Sequence, residues 1–162
     1  TQIEREARAD LVPIIRQETA SFLKVLLRMQ RPKNILEVGT AVGFSALFMS
    51  EYAPADCHIT TIEKYEKRIP IARENFDKYG REDKITLLEG DATEILKELD
   101  GTYDVIFMDI MMPKLNGWDA TRRIRSMKRS DAGNVPIIAM SANAFAEDII
   151  NSRWMKRSCW KQ

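Results

Sequence analysis

The sequence is poor in the residues that build metal clusters and disulfide frameworks. Its 162 residues include one histidine, His58, and two cysteines, Cys57 and Cys159. A single histidine excludes a histidine-based metal cluster or catalytic triad. Two isolated thiols argue against a disulfide scaffold and favour a reducing compartment. We therefore expect a cytoplasmic protein.

An excess of charge of one sign is also missing, and so is a long apolar run. The 25 Lys and Arg residues balance 24 Asp and Glu residues, which gives no electrostatic drive toward nucleic acid. No apolar run approaches the roughly 20 residues that cross a bilayer. The sequence shows no basic segment followed by an apolar one at its start, so it does not indicate secretion. We expect neither a nucleic-acid partner nor a membrane partner.

What the sequence does have is an alternation of short apolar strands and amphipathic helices. The helix over residues 19–29 is expected to bury Phe22, Val25, Leu26 and Met29, which share one face at helical spacing. A last helix is expected from Ala144 onward. Such alternation predicts an α/β fold, a three-layer doubly wound parallel sheet with helices on both faces. The five predicted strands span residues 34–38, 58–62, 84–88, 103–110 and 135–140.

Glycines and acids follow the first three strands directly. Gly39 and Gly43 come after the first strand, where glycine lets the backbone turn tightly and approach a ligand. Glu63 ends the second strand, where a carboxylate can accept both hydroxyls of a ribose. Asp91 and Ala92 follow the third, where an acid and a backbone amide can meet an adenine edge. The alternative is that these acids only cap strands and turns.

These segments resemble a known family. From VPII, which begins at Val12, to Asp109, the ordered motifs ILEVGTAVGFSA, TTIEKYEKR, ITLLEGDATEIL and YDVIFMD are similar to bacterial class I O-methyltransferases of the catechol type. The resemblance implies S-adenosylmethionine or S-adenosylhomocysteine as the ligand. It also implies a set of cofactor-binding residues, from the methionine end through the ribose to the adenine: Glu37, Gly39, Gly43, Ser45, Glu63, Asp91 and Ala92.

The same resemblance implies a divalent metal, held in part by the strand-ending Asp109. In that family an Asp-Asn pair further along the chain completes the metal site, and no such pair follows Asp109 here. One carboxylate is too little for a hard cation, which takes several oxygen ligands. We therefore do not expect Mg²⁺ to bind.

The segment from Asp104 onward also resembles a second family. The motifs DVIFMDIMMPKLNGWDATRRIR and VPIIAMSANAF are similar to the middle of response-regulator receiver domains. That resemblance implies that Asp109 accepts a phosphoryl group and that the hydroxyl of Ser141 binds it. An acidic pair should end the first strand of a receiver site, but this strand carries Glu37 and a glycine loop instead, and no Lys-Pro pair follows Ser141.

Together the two resemblances predict one chimeric domain, with methyltransferase-like residues 1–103, receiver-like residues 104–150 and an atypical tail, residues 151–162. Both families place the fourth strand beside the first, which predicts the strand order 3-2-1-4-5. The main interpretation is an engineered chimera with no complete natural active site, which could retain weak S-adenosylmethionine binding. The alternatives are an active S-adenosylmethionine-dependent O-methyltransferase and a receiver module phosphorylated on Asp109.

The last predicted strand, residues 135–140, is expected to form an apolar sheet edge. Unpaired amide and carbonyl groups on such an edge favour pairing with another chain. Trp154 and Trp160 add apolar area in the C-terminal tail. We expect self-association through this edge and the tail, unless the tail folds back over its own edge.

Overall fold

The computed structural model describes residues 17–109 and 117–140, with side chains from residue 18 onward. Helices and strands alternate along the chain, as the sequence predicts. The helices are α1 (Gln17–Gln30), α2 (Phe44–Tyr52), α3 (Ile69–Lys78), α4 (Ala92–Glu98) and α5 (Gly117–Ser126). The strands are β1 (Asn34–Val38), β2 (His58–Glu63), β3 (Ile85–Glu89), β4 (Val105–Asp109) and β5 (Ile137–Met140).

The five strands form one parallel sheet in the order β3-β2-β1-β4-β5, which confirms the predicted order. β1 lies in the centre and pairs with β2 from Asn34↔His58 to Val38↔Ile62. On its other side β1 pairs with β4. The strand order reverses between β1 and β4, and open α/β sheets bind ligands at the carboxyl end of such a reversal.

Side chains on the two faces of the sheet build two apolar layers. Ile35 and Leu36 are neighbours in β1, and each is fully buried in a different layer, as expected when side chains alternate across a strand. One layer holds residues of α1, α2 and α3, and the other holds residues of α4 and α5. The fold is therefore the predicted helix, sheet and helix arrangement.

The prediction of the buried face of α1 is wrong. The side chains that pack on the sheet are Leu23 and Leu27, one helical turn apart and fully buried, while Leu26 is only partly buried. Both apolar faces satisfy helical spacing, so periodicity alone cannot choose between them. The other residues that the sequence placed in the core are largely exposed: Phe22 (56%), Val25 (56%) and Met29 (75%).

Turns delay the starts of two strands relative to the sequence prediction. The amide of Lys84 donates to the Arg81 carbonyl at 3.0 Å, so β3 begins one residue later. The amide of Val135 donates to the Asp131 carbonyl at 2.7 Å. Pro136 has no amide hydrogen to donate. β5 therefore begins at Ile137.

Some sequence predictions fall outside the described residues. These include Ser141, the helix predicted from Ala144, and the tail with Trp154 and Trp160. β5 is the outermost strand of the described sheet, and self-association through it stays a prediction. Within residues 17–109 and 117–140, no helix is long and apolar enough to cross a membrane.

Candidate functional site

The loop between β1 and α2 depends on its two glycines. Gly39 has φ 107° and Gly43 has φ 85°, backbone conformations that side chains rarely permit. A Cβ atom at Gly39 would lie 2.8 Å from the Cβ of Asp109, and one at Gly43 would lie 2.5 Å from the ring of Phe76. Ala41 between them also has a positive φ, 50°. The loop therefore passes directly over the end of β4.

Backbone and carboxylate oxygens at the end of β2 hold this loop. The Ile62 carbonyl accepts hydrogen bonds from the amides of Gly39 at 3.0 Å and Thr40 at 3.1 Å. The Oε2 atom of Glu63 accepts from the Ala41 amide at 2.7 Å. Three successive amides of the glycine loop are thus bound by two residues of one neighbouring strand.

Glu63 also organises the chain that follows it. Its Oε1 atom accepts from the amides of Lys64 at 2.9 Å and Tyr65 at 2.8 Å. Its backbone carbonyl accepts from the amide of Gly90 at 2.8 Å, in the turn after β3. The single residue Glu63 therefore connects the loops at the carboxyl ends of β1, β2 and β3.

The Asp91 carboxylate caps α4 and pairs with a lysine. Its Oδ1 atom accepts from the Thr93 amide at 2.9 Å, an N-cap interaction. Its Oδ2 atom accepts from the Lys64 Nζ atom at 2.9 Å. Lys64, and after it Thr93, lowers the pKa of Asp91 to about 2. Ala92, the first residue of α4, is buried beside it.

Glu37 lies beneath the glycine loop and is fully buried. The Ser45 hydroxyl donates to its Oε1 atom, and the Thr61 hydroxyl donates to its Oε2 atom at 2.5 Å. Thr61 shares a second hydrogen bond with Thr40, at 2.6 Å between their oxygens. Glu37 therefore supports the loop from below through hydroxyl groups.

Burial is the main cause that raises the pKa of Glu37, to about 7. The hydrogen bonds from Ser45 and Thr61 lower the pKa and offset part of this effect, while the negative charges of Asp109 and Glu63 raise it further. Two further carboxylates thus act on Glu37 at the carboxyl end of the sheet, where β1, β2 and β4 end.

The structure brings together the strand-end residues that the sequence singled out. Glu63 and Asp91 hold turn and helix-cap amides, as the alternative interpretation predicted, and their contact with a ligand stays a prediction. Sequence reasoning missed Lys64 and Thr61. Lys64 stands next to Glu63 in TTIEKYEKR, and Thr61 is the in-register neighbour of Glu37, so parallel pairing of the two strands is the signal that could have found Thr61.

A divalent metal is not accommodated by the described side chains alone. Within residues 17–109 and 117–140, no group of three or more His, Cys, Asp or Glu residues could hold a metal ion. Asp109 contributes one carboxylate, close to Gly39. That Mg²⁺ does not bind to this chain stays a prediction.

Comparison with known proteins gives one consistent family. The family model described as O-methyltransferase matches residues 5–115. A catechol O-methyltransferase from Niastella koreensis is 33% identical over 96 residues, which cover 57% of this chain and 43% of that protein. The caffeoyl-CoA O-methyltransferase 2 of Populus trichocarpa is 33% identical over 102 residues, which cover 57% of this chain and 40% of that protein. The chain spans less than half the length of either relative.

Solved structures give the same result. A structure from Staphylococcus aureus, described as a caffeoyl-CoA O-methyltransferase, has a TM-score of 0.68 and 36% identity, covering 75% of this chain and 57% of that one. The Podospora anserina methyltransferase PaMTH1, solved with S-adenosylhomocysteine bound, has a TM-score of 0.56 and 38% identity, covering 59% of this chain and 41% of that one.

These findings overturn the main interpretation of the sequence, a chimera with no complete natural active site. The family match runs from residue 5 to residue 115, across the predicted junction at 103–104, and includes Asp109. The named relatives are methyltransferases, and the receiver-like interpretation of residues 104–150, with Asp109 and Ser141 as phosphoryl-binding residues, gains no support from them. The chain belongs to the O-methyltransferase family.

Proposed function

We propose that this chain binds S-adenosylmethionine at the carboxyl ends of β1, β2 and β3 and serves methyl transfer to a hydroxyl oxygen of a catechol-like acceptor. Membership in the O-methyltransferase family and neighbours solved with S-adenosylhomocysteine or S-adenosylmethionine support the proposal. The observation that carries it is the set of hydrogen bonds through which Glu63 joins three strand-end loops.

The Glu63 carboxylate keeps acceptor capacity for a ribose. A carboxylate offers about four acceptor positions, and three are used by the amides of Ala41, Lys64 and Tyr65. The free position lies on Oε2, the oxygen bound to the glycine loop. A ribose hydroxyl that donates to this oxygen would be held beside the loop amides.

The remaining proposed contacts follow from the same geometry. Asp91 and Ala92 begin α4 next to Lys64, and we assign them to the adenine. The bare backbone at Gly39 and Gly43 permits close approach of the methionine end. Glu37 and Ser45 were expected to face the methionine end. Because Glu37 is fully buried, we now assign these two residues to the support of the loop from beneath.

When bound, S-adenosylmethionine supplies an activated methyl group on a positively charged sulfonium. This chain supplies negative charge near the carboxyl end of β1, where Glu63 and Asp109 both act electrostatically on Glu37. Their field favours a cationic ligand over a neutral one. The described residues alone do not form a metal site, so the proposed roles are those of the protein's own side chains and backbone.

A transfer assay with a matched control variant tests the proposal. Radiolabelled S-adenosylmethionine and catechol are incubated with the wild type, Glu63→Gln and Glu89→Gln. Glu89 lies opposite Glu63 in the β2–β3 register but is exposed and paired with Arg73. We expect label transfer by the wild type and by Glu89→Gln, and roughly tenfold less by Glu63→Gln, since a buried acceptor is lost. No transfer above the protein-free blank, or equal transfer by both variants, contradicts the proposal.

A further inference from the structure

Lys64 contacts both acids of the proposed adenosine site. Its backbone amide donates to the Oε1 atom of Glu63 at 2.9 Å, and its Nζ atom donates to the Oδ2 atom of Asp91 at 2.9 Å. Glu63 ends β2 and Asp91 follows β3, and Asp91 comes 27 positions after Lys64 in the chain. One residue thus joins the ribose side of the crevice to the adenine side.

Two residues on two different elements hold the Asp91 carboxylate. The Thr93 amide of α4 donates to Oδ1 and the Lys64 ammonium donates to Oδ2, and the Thr93 side chain also forms a hydrogen bond with the carboxylate. A carboxylate has about four acceptor positions, so one remains for a ligand donor. The side chains of Lys64 and Asp91 are 36% and 38% exposed, so the carboxylate is accessible from solvent. Without the ammonium, the carboxylate would be held from α4 alone, by Thr93.

We propose that Lys64 is a positioning residue for the cofactor: it aims the Asp91 carboxylate at the amino group of the adenine. This inference rests on the proposed function and deepens it. A carboxylate held ionised accepts hydrogen bonds and cannot donate them. It therefore favours adenine, whose exocyclic group donates, over a base whose corresponding group only accepts.

Other ion pairs of the chain serve as a comparison. Surface pairs generally contribute little, and Lys97 with Glu94 forms such a pair within α4, at 2.6 Å and with more exposed side chains. The pair of Lys64 and Asp91 differs because it crosses between two strand-end loops. The ammonium of Lys64 therefore connects two loops, whereas that of Lys97 pairs within a single helix.

Calorimetric titration with S-adenosylhomocysteine tests the inference. We expect Lys64→Met to bind roughly tenfold more weakly than the wild type, as when a charge-assisted hydrogen bond is lost. Lys64→Arg should retain most of the affinity, and the matched control Lys97→Met all of it. Lys64→Gln replaces Lys64→Met if the latter does not fold, as judged by circular dichroism.

A double-mutant cycle separates positioning from direct contact. If Lys64 acts through Asp91, Lys64→Met should weaken binding in the wild-type background and have no further effect in the Asp91→Asn background. An NMR titration of Lys64→Met should show the pKa of Asp91 higher than in the wild type. Additive losses, or equal binding by Lys64→Met and the wild type, overturn the inference alone. A wild type that binds no S-adenosylhomocysteine overturns both the inference and the proposed function.

Discussion

At the scale of single residues, Glu37 shows how a carboxylate can be fully buried in this fold. Complete removal from water disfavours its charged form, and hydrogen bonds from Ser45 and Thr61 satisfy both oxygens. The sequence pointed to Glu37 as a ligand contact, but only the structure reveals that its partners are hydroxyl groups from α2 and β2.

The raised pKa of Glu37 predicts how stability depends on pH. The folded-state pKa of about 7 exceeds the ordinary value of 4.5, so the folded state holds this proton more tightly than the unfolded state. Its stabilising contribution is present below pH 4.5 and is lost as the pH rises through 7. We expect the free energy of unfolding to fall by about 3 kcal/mol across that window from this group.

Urea unfolding at a series of pH values from 4.5 to 8 measures this dependence. Glu37→Gln cannot ionise and should remove most of the decrease, while the exposed Glu89→Gln should leave the decrease as in the wild type. A decrease of the same size in Glu37→Gln would mean that another group is responsible.

At the scale of elements, the glycine loop and α1 differ in how well the sequence predicts them. The pattern of two glycines after β1 predicts a tight turn because few residues other than glycine tolerate a positive φ. It does not reveal that Asp109 and Phe76 occupy the space beside those glycines, since both residues come from distant parts of the chain.

The space beside Gly43 predicts the cost of a methyl group there. Gly43→Ala should destabilise the fold by about 3 kcal/mol, because backbone strain and a clash with the Phe76 ring act together. Gly101 is the matched control, since it also has a positive φ, 119°, but nothing lies within 4 Å of its added Cβ. Gly101→Ala should therefore show the strain alone, about 1–2 kcal/mol. Thermal unfolding of both variants measures the two losses of stability. Equal losses would show that the clash with the Phe76 ring is relieved.

The face that α1 buries is a second element-scale prediction. Leu27→Ala should cost about 3 kcal/mol, as for a buried leucine that leaves a cavity. Val25→Ala should change stability by less than about 0.5 kcal/mol, because the Val25 side chain is mostly exposed. Denaturant unfolding compares the stability of the two variants. A larger loss of stability for Val25→Ala would show that α1 buries the face that periodicity favoured.

At the scale of the whole molecule, the sequence predicted the class of fold and the order of the strands. Strand alternation and glycine turns are local signals, and the order followed from the resemblance of β4 to a strand that lies beside the first. The chimeric interpretation rested on short motifs between Asp104 and Phe145, and the first of them contains the pattern Asp-apolar-Ile-Phe-apolar-Asp, which two families share. Short motifs did not identify the family of this segment, whereas the family match runs across the predicted junction, from residue 5 to residue 115.

The site was predicted less completely than the fold. Glu63 and Asp91 could be named because each ends or follows a strand at the same edge of the sheet. Lys64 could not, because its role depends on a contact with Asp91 that forms only when β2 and β3 pair in register. Charged residues after strands are common, and spacing alone does not reveal which of them pair.

The proposed cofactor site lies where Glu63 joins three strand-end loops. A ¹⁵N NMR titration of the chain with S-adenosylhomocysteine tests this location. We expect shift changes concentrated at the amides of residues 39–43, 63–65 and 90–93, with little change at the amino ends of the strands. Changes confined to other parts of the chain, or no change at millimolar ligand, would contradict it.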